Sequence, residues 1–436
     1  MLLYFLIGSD TMTFAIHTFG CKVNIYESEY VINLLQENKY QMISWNSEKE
    51  ADIYIINTCT VTNEADKKDR KLIHTTRSIH PNKVLVVMGC YSQLNPKSIE
   101  ADIIIGNKYK SDIINLINEF NKNHQKIIKV NNIAKTNFED MYINRFVAHT
   151  RAFVKIQDGC NAFCTYCAIP YARGGIRSKD FDKVIKEVTD LVNNGYKEIV
   201  LTGIHTGRYG IDKHTNLEKL LRELVKIKGI FRIRLSSIEV NEITDGIIDL
   251  IKNNNIMAKH LHIPIQSGCN TILKNMNRLY DKETFINKVK HIRKEIPDIS
   301  ITTDLIVGFP GETEENFSET IDTLYKIKFT KIHTFPYSKR NGTKAATMPN
   351  QIDGITKKCR VKEILNISNM YELAFYKQKI GSIYDGIIET RKDGKKIVIS
   401  SNYIPIEINT NLENNSKVAV KITAVDSNKI TGEILE

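Results

Sequence analysis

RAFVKIQDGCNAFCTYCAIPYARGG, residues 151–175, is the stretch from which the rest of this chain is read. Phe153, Val154 and Ile156 suit a partly buried strand. Directly after it come Cys160, Cys164 and Cys167, spaced C-x3-C-x2-C with no fourth cysteine nearby. Three thiolates so spaced hold three corners of a cubane 4Fe–4S cluster and leave the fourth iron open to a substrate or cofactor. A structural zinc site closes with four ligands, often as two C-x2-C pairs or with a nearby histidine, and neither follows Cys167 at suitable spacing.

Downstream, strand-like runs recur at YKEIVLTG, FRIRLSSIE, AKHLHIPIQSG, ISITTDLIVG and FTKIHTFPYS, separated by helical stretches such as DFDKVIKEVTDLVNN and DKETFINKVKHIRKE. Together with the first strand they make six strand–helix units, too few for a closed eightfold barrel. The expectation for 146–375 is an open (β/α)6 partial barrel, with its site at the carboxyl ends of the strands. The cysteine loop stands at the first such end.

Upstream, apolar strands again alternate with amphipathic helices, which predicts a parallel α/β domain over 12–124. Cys21, Cys59 and Cys90 each fall at the end of a strand, where open sheets of this kind place ligands. Core filling is the plainer account of any one buried cysteine. Three at the same topological position would converge on one edge of the sheet, close enough to share a second iron–sulfur cluster. A polar, weakly periodic stretch at about 121–147 reads as the link between domains. Over 376–436 short strands divided by DG, SN and NN turns predict a small five-stranded barrel of OB type, a fold that often binds RNA. The overall fold class is α/β. Cys269 and Cys359 have no partners at ligand spacing and read as structural thiols.

The 436 residues exceed one ordinary core. With 42% hydrophobic and 25% charged residues the composition is that of a soluble globular protein. A formal charge of +11 suits a polyanionic partner, although a general bias toward lysine, asparagine and isoleucine explains it equally well. The initial MLLYFLIG lacks a basic lead and falls far short of the roughly 20 residues that span a bilayer. The expectation is a cytoplasmic protein with no membrane association, with Met12 a candidate start and the eight cysteines acting as ligands or reduced thiols.

C-x3-C-x2-C just after a strand is the signature of radical S-adenosylmethionine (SAM) enzymes, and CTYCAIPYARGG resembles their methylthiotransferase branch. The N-terminal cysteines extend the resemblance to nearly the whole chain. HTFGCKVNIYESE with Cys21 and Asn24, NTCTVTNEADKKDRK with Asn57 and Cys59, and MGCYSQ with Gly89 and Cys90 are similar to the family's auxiliary-cluster motifs. The resemblance implies two 4Fe–4S clusters. Cys160, Cys164 and Cys167 would hold the one whose open iron chelates SAM and whose electron yields a 5′-deoxyadenosyl radical. Cys21, Cys59 and Cys90 would hold the one that carries or accepts the sulfur. The C-terminal barrel would be the family's TRAM domain.

The resemblance also nominates SAM contacts: Tyr166 against the adenine, Thr202 and Gly203 at the methionine amino group, and Arg234, Ser237 and Glu239 for ribose and carboxylate. Gln266 with His262 and Ser267, and Asp304 with Gly308 and Gly311, occupy the next two strand ends. LTGIHTG lacks the acidic residue usual in its motif, and YSKRNGTKAATM lacks the prolines usual around its Gly-Thr pair. Within the family the chain looks most like the bacterial threonylcarbamoyladenosine branch, since Lys22-Val23 stands where the isopentenyl branch has Gln-Met. The implied reaction is 2-methylthiolation of N6-threonylcarbamoyladenosine at tRNA position 37, in the anticodon loop. The alternatives are the same chemistry on isopentenyladenosine or on a ribosomal protein aspartate, and an iron–sulfur RNA-binding module without catalysis. The family implies two further partners, an electron donor such as flavodoxin or ferredoxin and a sulfur donor.

Overall fold

The computed structural model describes residues 11–147, 149–391, 393–427 and 429–435. The apolar start MLLYFLIG lies outside them. The chain divides into two compact units, one of which runs to Val147 and also takes in Tyr171–Gly174, while the other holds the remainder. No described helix is long and apolar enough to cross a membrane.

In the first unit, strands β1 (Thr13–Thr18), β2 (Gln41–Met42), β3 (Ile53–Thr58), β4 (Val84–Gly89), β5 (Ile103–Ile105) and β6 (Ile127–Lys129) form one parallel sheet in the order β2-β1-β3-β4-β5-β6. Helices α1 (Lys22–Glu37), α2 (Asn63–Ile79), α3 (Cys90–Leu94) and α4 (Ile113–Asn123) connect the strands. Every residue of β3 is buried, as expected of a strand covered on both faces. Side chains on a strand alternate between its two faces. Accordingly Ile53 and Ile55 join a core with Val31, Leu35 and Leu116, whereas Tyr54 and Ile56 join another with Ile73 and Val87. The stretch 121–147 is not simply a link. It completes α4 and contributes β6, a three-residue edge strand, and Met141, Ile143 and Phe146 are buried in the same unit. Three residues are too few to give a readable alternation against a polar background.

The second unit opens with β7 (Ala152–Lys155) and β8 (Gln157–Asp158); the chain then runs through the short α5 (Ile169–Arg173), whose last three residues belong to the first unit, to β9 (Arg177–Ser178), which pairs antiparallel with β8. Then come α6 (Phe181–Asn193), β10 (Glu198–Thr202), α7 (Leu217–Leu224), β11 (Arg232–Leu235), α8 (Asp245–Asn253) and β12 (His260–His262). They are followed by α9 (Asn270–Asn275), α10 (Lys282–Glu295), β13 (Ser300–Val307), α11 (Glu314–Ile327) and β14 (Lys331–Pro336). The strands β7, β10 and β11 form one parallel sheet and β12, β13 and β14 another, bridged singly at Ile233–Met257 and Ser237–His262. These are the six strands of the expected partial barrel, left open rather than closed. Helix α12 (Gly354–Lys377) lies against the edge strand β14, where the Ser368 hydroxyl accepts from Ile332 N at 2.9 Å. An unpaired strand edge is thereby covered.

The C-terminal strands β15 (Ile383–Thr390), β16 (Lys396–Ser400), β17 (Pro405–Ile408), β18 (Lys417–Asp426) and β19 (Lys429–Leu435) close into the expected five-stranded barrel, in the order β15-β16-β17-β19-β18. Ile388, Val398, Ile406, Val420 and Ile422 fill its interior. Arg232 and Arg234 of β11 tie it to the partial barrel. Arg232 donates to the carbonyls of Asp385 and Ile399, and Arg234 to those of Ser400 and Ser401. Glu198 on β10 sits between the two arginines.

Candidate metal centres

The loop after β7 is held in shape before any ligand is considered. Gln157 Nε2 donates to the carbonyls of Asp158 and Gly159, and its Oε1 accepts from His205 N. Phe163, between the first two cysteines, has a left-handed φ of 46°, as does Gln266 at 62°. Non-glycine residues in that region carry strain and gather at functional sites. Asn277 Nδ2 steadies the loop through the carbonyls of Ala162 and Phe163.

Cys160, Cys164 and Cys167 open together into a cavity of about 230 Å³. Tyr166, Ser237, Glu239, Gln266 and Asp304 line it, and so do His205 and Arg278, which sequence reasoning missed. Arg278 Nη1 donates to Cys164 Sγ at 3.2 Å, and its Nη2 pairs with Glu239. His205 Nδ1 lies 3.3 Å from Cys160 Sγ, and its Nε2 is 2.7 Å from Glu242. Burial opposes a charge on His205, yet its contacts with Cys160 and Glu242 prevail and raise it to about 10. Burial, and next the charge of Cys164, pushes the Cys167 thiol up to about 12. Crowded thiols with cationic donors aimed at two of them suit a cluster, whose iron lets the sulfurs ionise together.

Three expected contacts stand elsewhere. Arg234 is a correction: it is completely enclosed, 2.8 Å from Glu198, with its remaining donors spent on the C-terminal barrel. Alternation along β11 puts it on the same face as Arg232, away from the cavity lining. Thr202 and Gly203 are also absent from that lining. Thr202 O accepts from Ile156 N, and a Cβ on Gly203 would stand 2.9 Å from Gln157 Oε1, so the pair supports the loop from behind. Cys269 packs in a core with Phe309 and Tyr337 as expected, whereas Cys359 is exposed on α12. All eight cysteines are free.

In the first unit, Cys21 precedes α1, Cys59 follows β3 and Cys90 begins α3 directly after β4. β1, β3 and β4 are neighbours, so the three cysteines stand along the carboxyl edge of one sheet. Gly20, with φ of 99°, sits so close that a Cβ there would come within 2.8 Å of Cys59 Sγ. Asn24 Nδ2 donates to the carbonyls of Phe19 and Thr58, and Asn57 Nδ2 to Asn24 O, locking the loops together. The Cys59 N–H donates to Asp69 at 3.1 Å. Burial, then the charge of Cys90, raises the Cys59 thiol to about 12, and burial likewise raises Cys90 against the pull of Arg173. Arg173 Nε and Asn107 Nδ2 both donate to Cys90 Sγ. This donor set also fits a cluster held by three thiolates.

A model of the Radical SAM superfamily matches residues 154–324, and one described as Uncharacterized protein family UPF0004 matches residues 13–106. The chain is 43% identical to the threonylcarbamoyladenosine tRNA methylthiotransferase MtaB of Bacillus subtilis, over 90% of each chain. It is 37% identical to the MtaB of Aquifex aeolicus, over 91% of this chain and 96% of that one. To the tRNA-2-methylthio-N(6)-dimethylallyladenosine synthase of Thermoanaerobacter pseudethanolicus it is 34% identical, over 97% and 92%. Among solved structures, the radical S-adenosylmethionine methyltransferase TsrM from Kitasatospora setae superposes with a TM-score of 0.55 at 14% identity, over 77% of each chain. That likeness is one of fold alone.

Proposed function

Because this chain belongs to the radical SAM methylthiotransferase family, we propose that it adds a methylthio group to C2 of N6-threonylcarbamoyladenosine at position 37 of tRNA. The observation that carries the chemistry is the division of six cysteines into two trios, each at the carboxyl ends of parallel strands and each met by cationic donors. The substrate rests on the higher identity to relatives named for threonylcarbamoyladenosine and on Lys22-Val23 after the first cysteine.

In this reading Cys160, Cys164 and Cys167 hold the SAM-binding cluster, and Cys21, Cys59 and Cys90 hold the auxiliary one. When bound, the two clusters and SAM supply the electron, the radical and the sulfur. Tyr166, which lines the cavity, would pack against the adenine of SAM. Ser237, Gln266 and Asp304 offer polar contacts to its ribose and methionine parts, and the Glu239–Arg278 pair fixes both Cys164 and the cavity wall. A flavodoxin or ferredoxin delivers the electron, and a separate donor replaces the sulfur consumed.

The RNA would bear on a cleft of about 490 Å³ bounded by β14, α12 and the C-terminal barrel. Phe335 is exposed and lines this cleft together with Arg391 and Lys429, which have no carboxylate partner among the described residues. An open ring next to cations is what single-stranded nucleic acid uses for stacking and phosphate contact. An unpaired anticodon-loop base can leave its stack at modest cost.

Nucleoside mass spectrometry of tRNA from cells with and without the gene tests the proposal. Loss of 2-methylthio-threonylcarbamoyladenosine, with its unthiolated precursor accumulating, is the expected result. Loss of the 2-methylthio-isopentenyl nucleoside instead would overturn the substrate while leaving the chemistry standing.

A further inference from the structure

Arg173 lies six residues beyond Cys167 in CTYCAIPYARGG, yet it packs as part of the N-terminal unit. Its side chain is completely buried. Nε donates to Cys90 Sγ at 3.2 Å, Nη1 to Glu27 Oε1 at 2.8 Å, and Nη2 to Asn24 Oδ1 at 2.7 Å and Glu27 Oε2 at 3.1 Å. Lys110, also wholly buried, pairs with Glu27 at 3.2 Å and donates to Asn107 Oδ1 at 3.3 Å. Asn107 in turn gives its Nδ2 to Cys90 Sγ at 3.4 Å and to Ala172 O at 2.9 Å. Two N–H groups from side chains locked on their far sides therefore point at one sulfur.

Burying an ion is costly even in a relaxed protein, because its hydration is lost. Two cations and one carboxylate are an expensive way to fill space that a leucine or methionine would fill. The arrangement makes sense if the sulfur they surround is electron-rich. A thiolate bound to iron is such a group, and hydrogen bonds and positive charge at a ligand sulfur are among the main determinants of a cluster's reduction potential.

We propose that Arg173 is a positioning residue for the auxiliary cluster. It is supplied by the segment that carries the SAM-cluster cysteines, and through its bond to the Cys90 sulfur it raises the auxiliary cluster's reduction potential. This rests on the reading that Cys21, Cys59 and Cys90 hold a cluster. A single strand of chain, Cys167 to Arg173, then bears a ligand of one centre at one end and the tuning group of the other at its far end.

The test uses the full chain, reconstituted without oxygen, with iron and sulfide counted before an EPR-monitored redox titration in the presence and absence of SAM. SAM perturbs the signal of the cluster it binds and so identifies the other. In Arg173→Met the SAM-insensitive cluster is expected to shift to lower potential while the SAM-sensitive one stays in place. Arg173→Lys should shift less, and Asn107→Leu should shift in the same direction. An unmoved auxiliary midpoint, or an equal shift of both clusters, overturns the proposal. Should Arg173→Met lose the auxiliary iron, Arg173→Lys and Asn107→Leu decide by the same criterion. About four irons per unaltered chain, rather than about eight, sinks the two-cluster reading and this proposal together, whereas about eight with no shift sinks this proposal alone.

Discussion

Glu198 and Arg234 form an ion pair at 2.8 Å with both side chains closed off from solvent. Arg232 reaches the same carboxylate, and both arginines continue to carbonyls of the C-terminal barrel. Burial and the neighbouring Arg234 charge lower Arg232 to about 10, which still leaves it cationic at neutral pH. Glu198 is thus the counter-charge that lets two arginines cross from one barrel to the other. Glu198→Gln would leave them buried without it, a loss of about 3–5 kcal/mol. The expected signs are a lower melting temperature and faster proteolytic release of a fragment near residue 380. An unchanged digest would show that other contacts hold the junction.

The same carboxyl predicts a pH dependence. Burial opposes its ionisation, but Arg234, Arg151 and Arg232 outweigh it and hold Glu198 below its ordinary value. A group depressed in the folded state stabilises fully above its unfolded pKa, about 4.3 for glutamate, and that contribution fades as pH falls through the folded value. The stability gap between the parent chain and Glu198→Gln should stay constant from about pH 8 to 5 and narrow only below about pH 4.3. Melting curves of iron-free protein across that range measure it. A gap that closes at neutral pH would contradict the assignment.

A pair of cysteine variants separates the two centres. Cys164→Ala should abolish 5′-deoxyadenosine formation, and Cys59→Ala should keep some SAM cleavage yet give no thiolated nucleoside. Each should retain about four irons of the about eight in the parent chain. Equal loss of SAM cleavage in two folded variants would count against separate duties.

Gly20→Ala attacks the auxiliary site without removing a ligand. The new Cβ would meet Cys59 Sγ at 2.8 Å, and an alanine held at φ of 99° carries roughly 1–3 kcal/mol of strain. The auxiliary iron should be lost or labile while SAM cleavage persists. Retention of the full iron complement in the variant would mean that the loop can yield.

What the sequence disclosed, and what it hid, follows the range of each interaction. Cys160, Cys164 and Cys167 lie within one loop, so their grouping is read from spacing alone. Cys21, Cys59 and Cys90 are distant in sequence, but the strand–helix alternation places each at a strand end, and adjacency of β1, β3 and β4 does the rest. His205, Arg278 and Arg173 reach their cysteines across 45, 114 and 83 residues, and no periodicity reports such a contact. The position of Arg234 is hidden for the converse reason. It sits near a strand end at the right point in the chain, but which face it occupies depends on a partner, Glu198, that lies on another strand.

The cleft beside β14 yields the last prediction, which concerns the partner rather than the chemistry. Arg391 and Lys429 come from different parts of the C-terminal barrel and line the same cleft as Phe335 from the partial barrel. If both cations meet phosphates of an unpaired strand, each releases counterions, and the dependence of log K on log salt changes by about 0.7 per contact. Arg391→Gln with Lys429→Gln should therefore flatten that slope by about 1.4 and weaken tRNA binding most at low salt. Phe335→Ala should instead weaken binding by about 1–3 kcal/mol, with the slope untouched, because stacking displaces no ions. Filter binding or fluorescence anisotropy over a salt series distinguishes the two effects. A slope that does not move in the double variant would place the RNA on another face.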